Sequence, residues 1–296
     1  MIKTLTIILN NACNLNCPHC YVIQKETHLD NNYIFNKIEE EKPQIIQLFG
    51  GEPFLNQNLE QIIEIQKYCK EHNIITTATS NLTFPLSDKI ISIIDNLYGL
   101  ATSYNVRRWK TLEQKELWKN NCKEILKRKI LWCLLTLDKD LINSKPEDIF
   151  KEINEIGFTK VRFEPYVGTV LKPDNKDIDN WLCRYYDIDK DNYLFDEIRK
   201  KLQGKDSEDL FNSNCHLHTK VLHPNGKITC CPLSNVDIRN NDSEILNKRV
   251  VKDYCNGCKW FDICQGVCPL LKEDNTGCCG YPDLYQRIKD EQIQSS

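Results

Sequence analysis

The chain has 296 residues, 41% hydrophobic and 27% charged, with a formal net charge of −3. This is enough length for one large soluble domain or two modest ones, and the charge balance gives no global pull toward nucleic acid or an anionic membrane. No apolar segment approaches the roughly 18 residues a membrane-spanning helix needs, and the apolar run after Met1-Ile2-Lys3 is too short for a secretory signal. The outstanding departure is 16 cysteines. In a chain expected to be cytoplasmic, so many thiols point to metal binding in a reducing setting rather than to disulfides.

From Thr4 to Pro165 short apolar runs alternate with amphipathic ones. Strands are predicted at Thr4 to Leu9, Gln44 to Phe49, Ile74 to Thr79, Leu97 to Ser103, Leu131 to Leu137 and Lys160 to Pro165. Helices are predicted at Tyr33 to Glu40, Leu59 to Glu71, Asp88 to Asp95, Thr111 to Arg128 and Pro146 to Ile156. Repeated β-α units imply a parallel sheet with right-handed crossovers and chemistry at the carboxyl ends of the strands. Six units close only part of a barrel.

In the stretch 172–203 the six aspartates of Asp174 to Asp191 are interleaved with Trp181, Tyr185, Tyr186 and Tyr193, which reads as a helical bridge. From Cys215 to about Ile293 cysteines dominate and periodicity is weak. Such a stretch needs metal to supply its stability. The expected organisation is an α/β barrel over 1–170, a bridge over 171–210 and a small cysteine-rich domain over 211–293.

Directly after the first strand, Cys13, Cys17 and Cys20 stand at C-x3-C-x2-C. Three thiolates on one loop can hold three irons of a cubane and leave the fourth open, and an open metal position is a place for chemistry. The alternative is a zinc knuckle, which needs His19 or a distant residue as fourth ligand, or ordinary buried thiols. Past the second strand comes Gly50-Gly51-Glu52-Pro53, two glycines that let a backbone approach a ligand closely and a carboxylate for a cationic amine. Thr79-Ser80-Asn81-Leu82-Thr83 follows the third strand, and Ser103 ends the fourth.

These motifs, in this order, resemble those of the radical S-adenosylmethionine (SAM) enzymes. The resemblance implies a partial (β/α)6 TIM-like barrel, with a [4Fe-4S] cluster on Cys13, Cys17 and Cys20 whose open iron is chelated by SAM. It implies that Gly50, Gly51, Glu52 and Pro53 hold the SAM amino group and that Ser103 bonds the ribose. Ser80 and Asn81 belong to a Thr-Asn-Gly-type turn, with Leu82 where glycine is usual and a different backbone therefore expected. His19 and Tyr21 are placed near the adenine.

The carboxyl-terminal cysteines form a second system: Cys215, then Gly226-x4-Cys231, then C-x2-C-x5-C-x3-C through Cys255, Cys258, Cys264 and Cys268, then Cys278-Cys279. This order resembles the SPASM domain of peptide-modifying radical SAM enzymes, which carries two auxiliary iron-sulfur clusters. By that resemblance Cys255, Cys258, Cys264 and either Cys278 or Cys279 hold the distal cluster, and Cys215, Cys231 and Cys268 the proximal one. The proximal cluster's usual fourth cysteine is absent from 210–214, and Cys230, whose side chain in a strand faces away from that of Cys231, is a poor substitute. The alternative for this set is structural zinc. Cys69, Cys122, Cys133 and Cys183 read as small buried hydrophobes.

The function the resemblance implies is cleavage of SAM to a 5′-deoxyadenosyl radical that oxidises or cross-links a ribosomally made peptide, with flavodoxin or ferredoxin as external electron donor. Sulfatase maturation fits less well, since Pro232 stands where that family has an aspartate. A small molecule or nucleotide is the alternative substrate class, and a non-enzymatic iron-sulfur or zinc protein the alternative outside enzymes. The first strand starts almost at Met1, so a leader peptide is expected to use the bridge, a separate protein or the basic helix. That helix lies in a run with nine Lys or Arg between Arg107 and Lys129, read mainly as a solvated face with pairs such as Glu124 and Arg128.

Overall fold

A computed structural model describes residues 3–20, 22–166, 171–205, 219–229, 231, 255–264 and 280–294. The chain divides into two compact units, one of 1–133 with 215–243 and the other of 134–214 with 244–296.

The first unit is built on β1 (Thr4–Ile8), β2 (Ile45–Phe49), β3 (Ile75–Ser80) and β4 (Gly99–Tyr104), interleaved with α1 (Asn31–Glu41), α2 (Leu59–Glu71), α3 (Asp88–Asp95) and α4 (Leu112–Leu126). β1, β2, β3 and β4 pair in parallel in sequence order, with Thr4 opposite Ile45 and Ile8 opposite Phe49. Leu5, Ile7, Ile46 and Leu48 are fully buried in the sheet. The helices cover it with Ile34 and Ile38, with Leu59, Ile62, Ile65 and Cys69, with Ile90, Ile93 and Ile94, and with Trp118, Cys122 and Ile125. This spacing is the apolar stripe a helix needs to pack on a sheet. Side chains fix the entries: Asp30 accepts from the Tyr33 amide, Ser87 from Ile90 and Thr111 from Gln114, as N-caps do.

β7 (Thr219–Leu222) pairs in parallel with the free edge of β1, and β8 (Ile228–Thr229) returns antiparallel to β7. This hairpin lies in the cysteine-rich stretch, where no strand was predicted. Its turn carries Gly226 at φ +80°, and Tyr33 of α1 donates to the Gly226 carbonyl at 2.7 Å.

β5 (Leu131–Leu137) and β6 (Lys160–Pro165) continue the strand–helix alternation, with α5 (Lys139–Ile142) and α6 (Pro146–Ile156) between them. From β1 to β6 the order is that of the partial (β/α)6 barrel.

The second unit adds α7 (Asn175–Ile188), α8 (Tyr193–Leu202), the short α9 (Phe261–Cys264) and α10 (Pro282–Gln294). Its core is aromatic: Tyr185 meets Phe163 edge-on at 5.1 Å between centroids, and Tyr186 meets Phe195 at 5.0 Å. The interleaved aspartates sort onto other tasks. Asp187 pairs with Arg287, and Asp179 accepts from the amides of Asp283 (2.9 Å) and Leu284 (3.0 Å), capping α10 from a neighbouring helix. Asp179→Ala leaves two helix-end donors without this acceptor and is expected to cost about 1–2 kcal/mol. Asp179→Asn, which keeps an acceptor, is expected to cost less, a ranking that denaturant unfolding reads directly. No helix among the described residues is long and apolar enough to cross a membrane.

Candidate metal centre

The loop leaving β1 is tied down before its first cysteine. Buried Asn10 accepts the Ala12 amide on Oδ1 at 2.7 Å and bonds Asn58 through Nδ2. Asn58 in turn donates to the carbonyl of Pro53 at 3.0 Å. Two backbone bonds zip this loop to the one leaving β2: Gly51 N to Asn10 O at 3.0 Å and Glu52 N to Ala12 O at 2.9 Å.

The zip explains the two glycines. A Cβ on Gly50, whose φ is +146°, would stand 2.4 Å from the Asn10 carbonyl oxygen, and one on Gly51 would stand 2.1 Å from that of Ala12. The close approach the sequence suggested is to the cysteine loop itself.

Glu52 is 1% exposed, and both its oxygens are engaged. Oε1 accepts from Phe54 N (3.0 Å) and Ser80 Oγ (2.8 Å), and Oε2 from Asn81 N (2.7 Å). Burial pushes this carboxyl up to about 7 against the pull of those three donors. Glu52 thus joins the β2 loop to the β3 loop, a role that the motif alone did not reveal.

In the β3 loop, Leu82 holds φ +51°, the left-handed conformation that glycine would adopt. The leucine side chain is fully buried and the Leu82 carbonyl accepts from Asn121 at 3.0 Å. Leu82→Gly removes about 1 kcal/mol of left-handed strain but forfeits about 2–3 kcal/mol of leucine burial. A net loss of stability is expected in thermal or denaturant unfolding.

Asn81 turns its side chain to the cysteine loop, with Nδ2 3.6 Å from Cys13 Sγ and 2.7 Å from Asn14 Oδ1. Cys13 and Cys17 are half-buried and Cys20 is exposed. Burial raises the Cys13 thiol to about 11, with the Leu15 amide opposing, and raises Cys17 with Arg108 opposing. Both thiols must lose protons to ligate metal. His19 is pushed down to about 4 by burial and then by Arg108, and its buried Nδ1 has no hydrogen-bond partner among the described residues.

Arg108 is the residue the sequence reading missed. In the sequence it falls in the basic run ahead of the helix; in the fold it lies past the end of β4 and donates through Nη1 to the Ser103 carbonyl at 2.8 Å. Its location five residues beyond a strand-end serine was the available signal. Ser103 is half-buried beside it. Arg108 and Lys110 line a cavity of about 180 Å³ together with Cys13, Asn14, Asn16 and Gln24. The far end of the basic run behaves as expected of a surface: Lys127 and Arg128 pair with Glu124, while Lys129 Nζ caps α3 at the carbonyls of Ile94 and Leu97.

Of the carboxyl-terminal cysteines, Cys231, Cys255 and Cys264 are buried and Cys258 is half-buried. The Cys258 amide donates to the Cys255 carbonyl at 3.1 Å, and Thr229 Oγ1 donates to the Cys231 carbonyl at 2.8 Å. Cys215, Cys268, Cys278 and Cys279, with Cys230, Pro232 and Tyr21, lie outside the described residues.

Residues 7–106 match the Radical SAM superfamily. This stretch is a radical SAM domain. It holds the cysteine loop, the Gly-Gly-Glu-Pro loop, the Ser80-Asn81 turn and Ser103. No curated protein matches the chain in sequence. Among solved structures, Streptococcus suis SuiB bound to precursor peptide SuiA is similar with a TM-score of 0.60 at 14% identity, over 97% of this chain and 76% of that one. TYW1 with a lysine-pyruvate adduct gives 0.45 at 16% over 64% and 72%, and BtrN in complex with AdoMet and 2-DOIA gives 0.40 at 11% over 100% and 90%. The likeness to SuiB is one of fold.

The radical SAM domain belongs to a family of enzymes that use a [4Fe-4S] cluster with SAM, and the residues present fit that group. Among the described residues no three His, Cys, Asp or Glu side chains converge on one ion position. A cubane asks for no such convergence, because each thiolate takes its own iron. The cysteine loop offers three thiols, one already receiving hydrogen bonds, beside a partnerless buried imidazole nitrogen and a guanidinium.

Proposed function

We propose that the chain is a radical SAM oxidoreductase that modifies a ribosomally made peptide, with Cys13, Cys17 and Cys20 holding the [4Fe-4S] cluster. The observation that carries this reading is the zip between the cysteine loop and Gly50-Gly51-Glu52, which brings both motifs of the radical SAM domain onto one rigid frame. Cys13, Cys17 and Cys20 would hold a cluster that, with SAM bound, would pass on an electron from the external donor for cleavage of the sulfonium and so provide for hydrogen-atom removal from the substrate.

The chain's own residues set the frame. Asn10 and Asn58 lock the two loops, Glu52 ties them to Ser80 and Asn81, and Arg108 sets a positive charge beside the thiols. Ser103, His19 and Tyr21 are assigned to the SAM nucleoside, and Gly50, Gly51, Glu52 and Pro53 to its amino group. Residues 1–170 form the catalytic domain, 171–210 a bridge and 211–293 a SPASM domain. In the latter, Cys215, Cys231, Cys255, Cys258, Cys264, Cys268 and one of Cys278 or Cys279 hold two auxiliary clusters. A peptide substrate is supported by the fold shared with SuiB, whose structure contains a precursor peptide.

Purified without oxygen, the protein is expected to carry roughly 12 irons if all three sites are cubanes, and to release 5′-deoxyadenosine from SAM on reduction by flavodoxin or ferredoxin. The variant with Cys13, Cys17 and Cys20 all changed to alanine is expected to release none. Incubation with peptides encoded beside the gene, read by mass spectrometry, tests the substrate class. Turnover of a small molecule in place of any peptide overturns that part, and zinc-loaded colourless protein overturns the whole.

A further inference from the structure

The three amino-terminal cysteines are not equivalent in what touches their sulfurs. Cys17 and Cys20 direct their thiols at carbonyl oxygens, Arg108 O at 4.0 Å and Val22 O at 3.9 Å, acceptors that suit a protonated thiol. Cys13 Sγ also lies 3.9 Å from an acceptor, Asn14 Oδ1, but it receives two N–H donors besides, Leu15 N at 3.4 Å and Asn81 Nδ2 at 3.6 Å.

The orientation of the Asn81 amide is forced by its surroundings. Thr83 N, which can only donate, sits 2.7 Å from Oδ1, so the oxygen must face it and the NH2 must face Cys13 and Asn14. The Asn81 backbone is fixed as well, its amide donating to Glu52 Oε2 at 2.7 Å, and the residue is 3% exposed. The side chain is held at both ends, its oxygen by Thr83 N and its NH2 shared between Asn14 Oδ1 and Cys13 Sγ.

We infer that Asn81 is a positioning residue that sets the reduction potential of the amino-terminal cluster through its hydrogen bond to Cys13, an inference that rests on the cluster reading proposed above. A donor to a ligand sulfur favours the reduced cluster, which carries one more negative charge, and so raises the potential; hydrogen bonds to sulfur are among the protein's levers on such centres. Asn81 belongs to the β3 turn, so the same residue that shapes the frame around the ligand site also reaches the metal ligand.

The test is an EPR-monitored redox titration of anaerobically prepared full-length protein, following the cluster signal that changes when SAM is added. Asn81→Ala removes the donor, and Asn81→Asp removes it while keeping an acceptor for Thr83 and adding a negative charge. The expected order of midpoints is wild type highest, Asn81→Ala lower and Asn81→Asp lowest. At the wild-type midpoint the reduced-to-oxidised ratio is expected to fall about tenfold, a shift of about 59 mV for a one-electron couple. A midpoint at or above the wild-type value in either iron-loaded variant overturns the inference. So does loss of iron from both variants with native circular dichroism, which would make Asn81 a structural support alone. A wild-type protein with no SAM-sensitive signal overturns the cluster reading instead, so the two failures are distinct.

Discussion

Gly51→Ala is expected to empty the amino-terminal cysteine loop of iron and to stop SAM cleavage while most of the chain stays folded. The added Cβ would stand 2.1 Å from Ala12 O, 2.6 Å from Ala12 C and 2.7 Å from Asn11 O. All three are backbone atoms, so no side chain can swing aside, and the loops have to part. Parting breaks Gly51 N to Asn10 O and Glu52 N to Ala12 O, each worth roughly 0.5–1.5 kcal/mol, and displaces Cys13 from Asn81. The site is expected to lose about 3 kcal/mol or more, concentrated where the thiols must be held. Gly204→Ala is the control: its φ is +66° but nothing lies within 4 Å of the added methyl, so about 1 kcal/mol is expected and iron content is unchanged. Iron per chain and 5′-deoxyadenosine release measure both variants. Full iron loading in Gly51→Ala would remove the zip from any role in the site.

How far the sequence could be read depends on whether a feature is local. β1 to β6 were legible because each is a short apolar run followed by a helix. Strand and helix ends moved by a residue or two, as at Ile75–Ser80, and at Asn31–Glu41, where the caps Asp30 and Lys42 rather than periodicity set the limits. The cysteine spacing and the Gly-Gly-Glu-Pro stretch carry their own signal, and the matching family stretch contains both.

What could not be read depends on distant partners. β7 is four residues long with a lysine inside it, and it is a strand because the edge of β1 and the pairing of Lys220 with Glu41 hold it there. Leu82 looked like a departure from a glycine turn, yet burial of its side chain keeps the left-handed backbone. Arg108 was hidden in a run of charges whose far end, at Lys127 and Arg128, is exposed. The amine-binding role suggested for Glu52 came from its charge, whereas the three donors that surround it come from β3 and its own turn.

That enclosure makes Glu52 a pH-sensitive element of the site. Its carboxyl is pushed up to about 7 by burial, from an ordinary value of 4.5. The folded state therefore holds the proton more tightly than the unfolded state between those two values. The stability this lends is fully present below about pH 4.5 and is lost as pH rises toward 7, by about 3 kcal/mol at most. Glu52→Gln removes the titration but has only one accepting oxygen. If that oxygen serves Phe54 N and Ser80, the new NH2 meets the Asn81 amide, and a buried donor loses its acceptor at a cost of about 1–3 kcal/mol. Denaturant unfolding is thus expected to show a wild type clearly more stable than Glu52→Gln at pH 5, with the gap narrowing by pH 8. Glu52→Ala, which strands all three donors, is expected to be the least stable at every pH. A gap between wild type and Glu52→Gln that is constant across this range would mean that the carboxyl stays ionised in the fold, with its three donors outweighing burial.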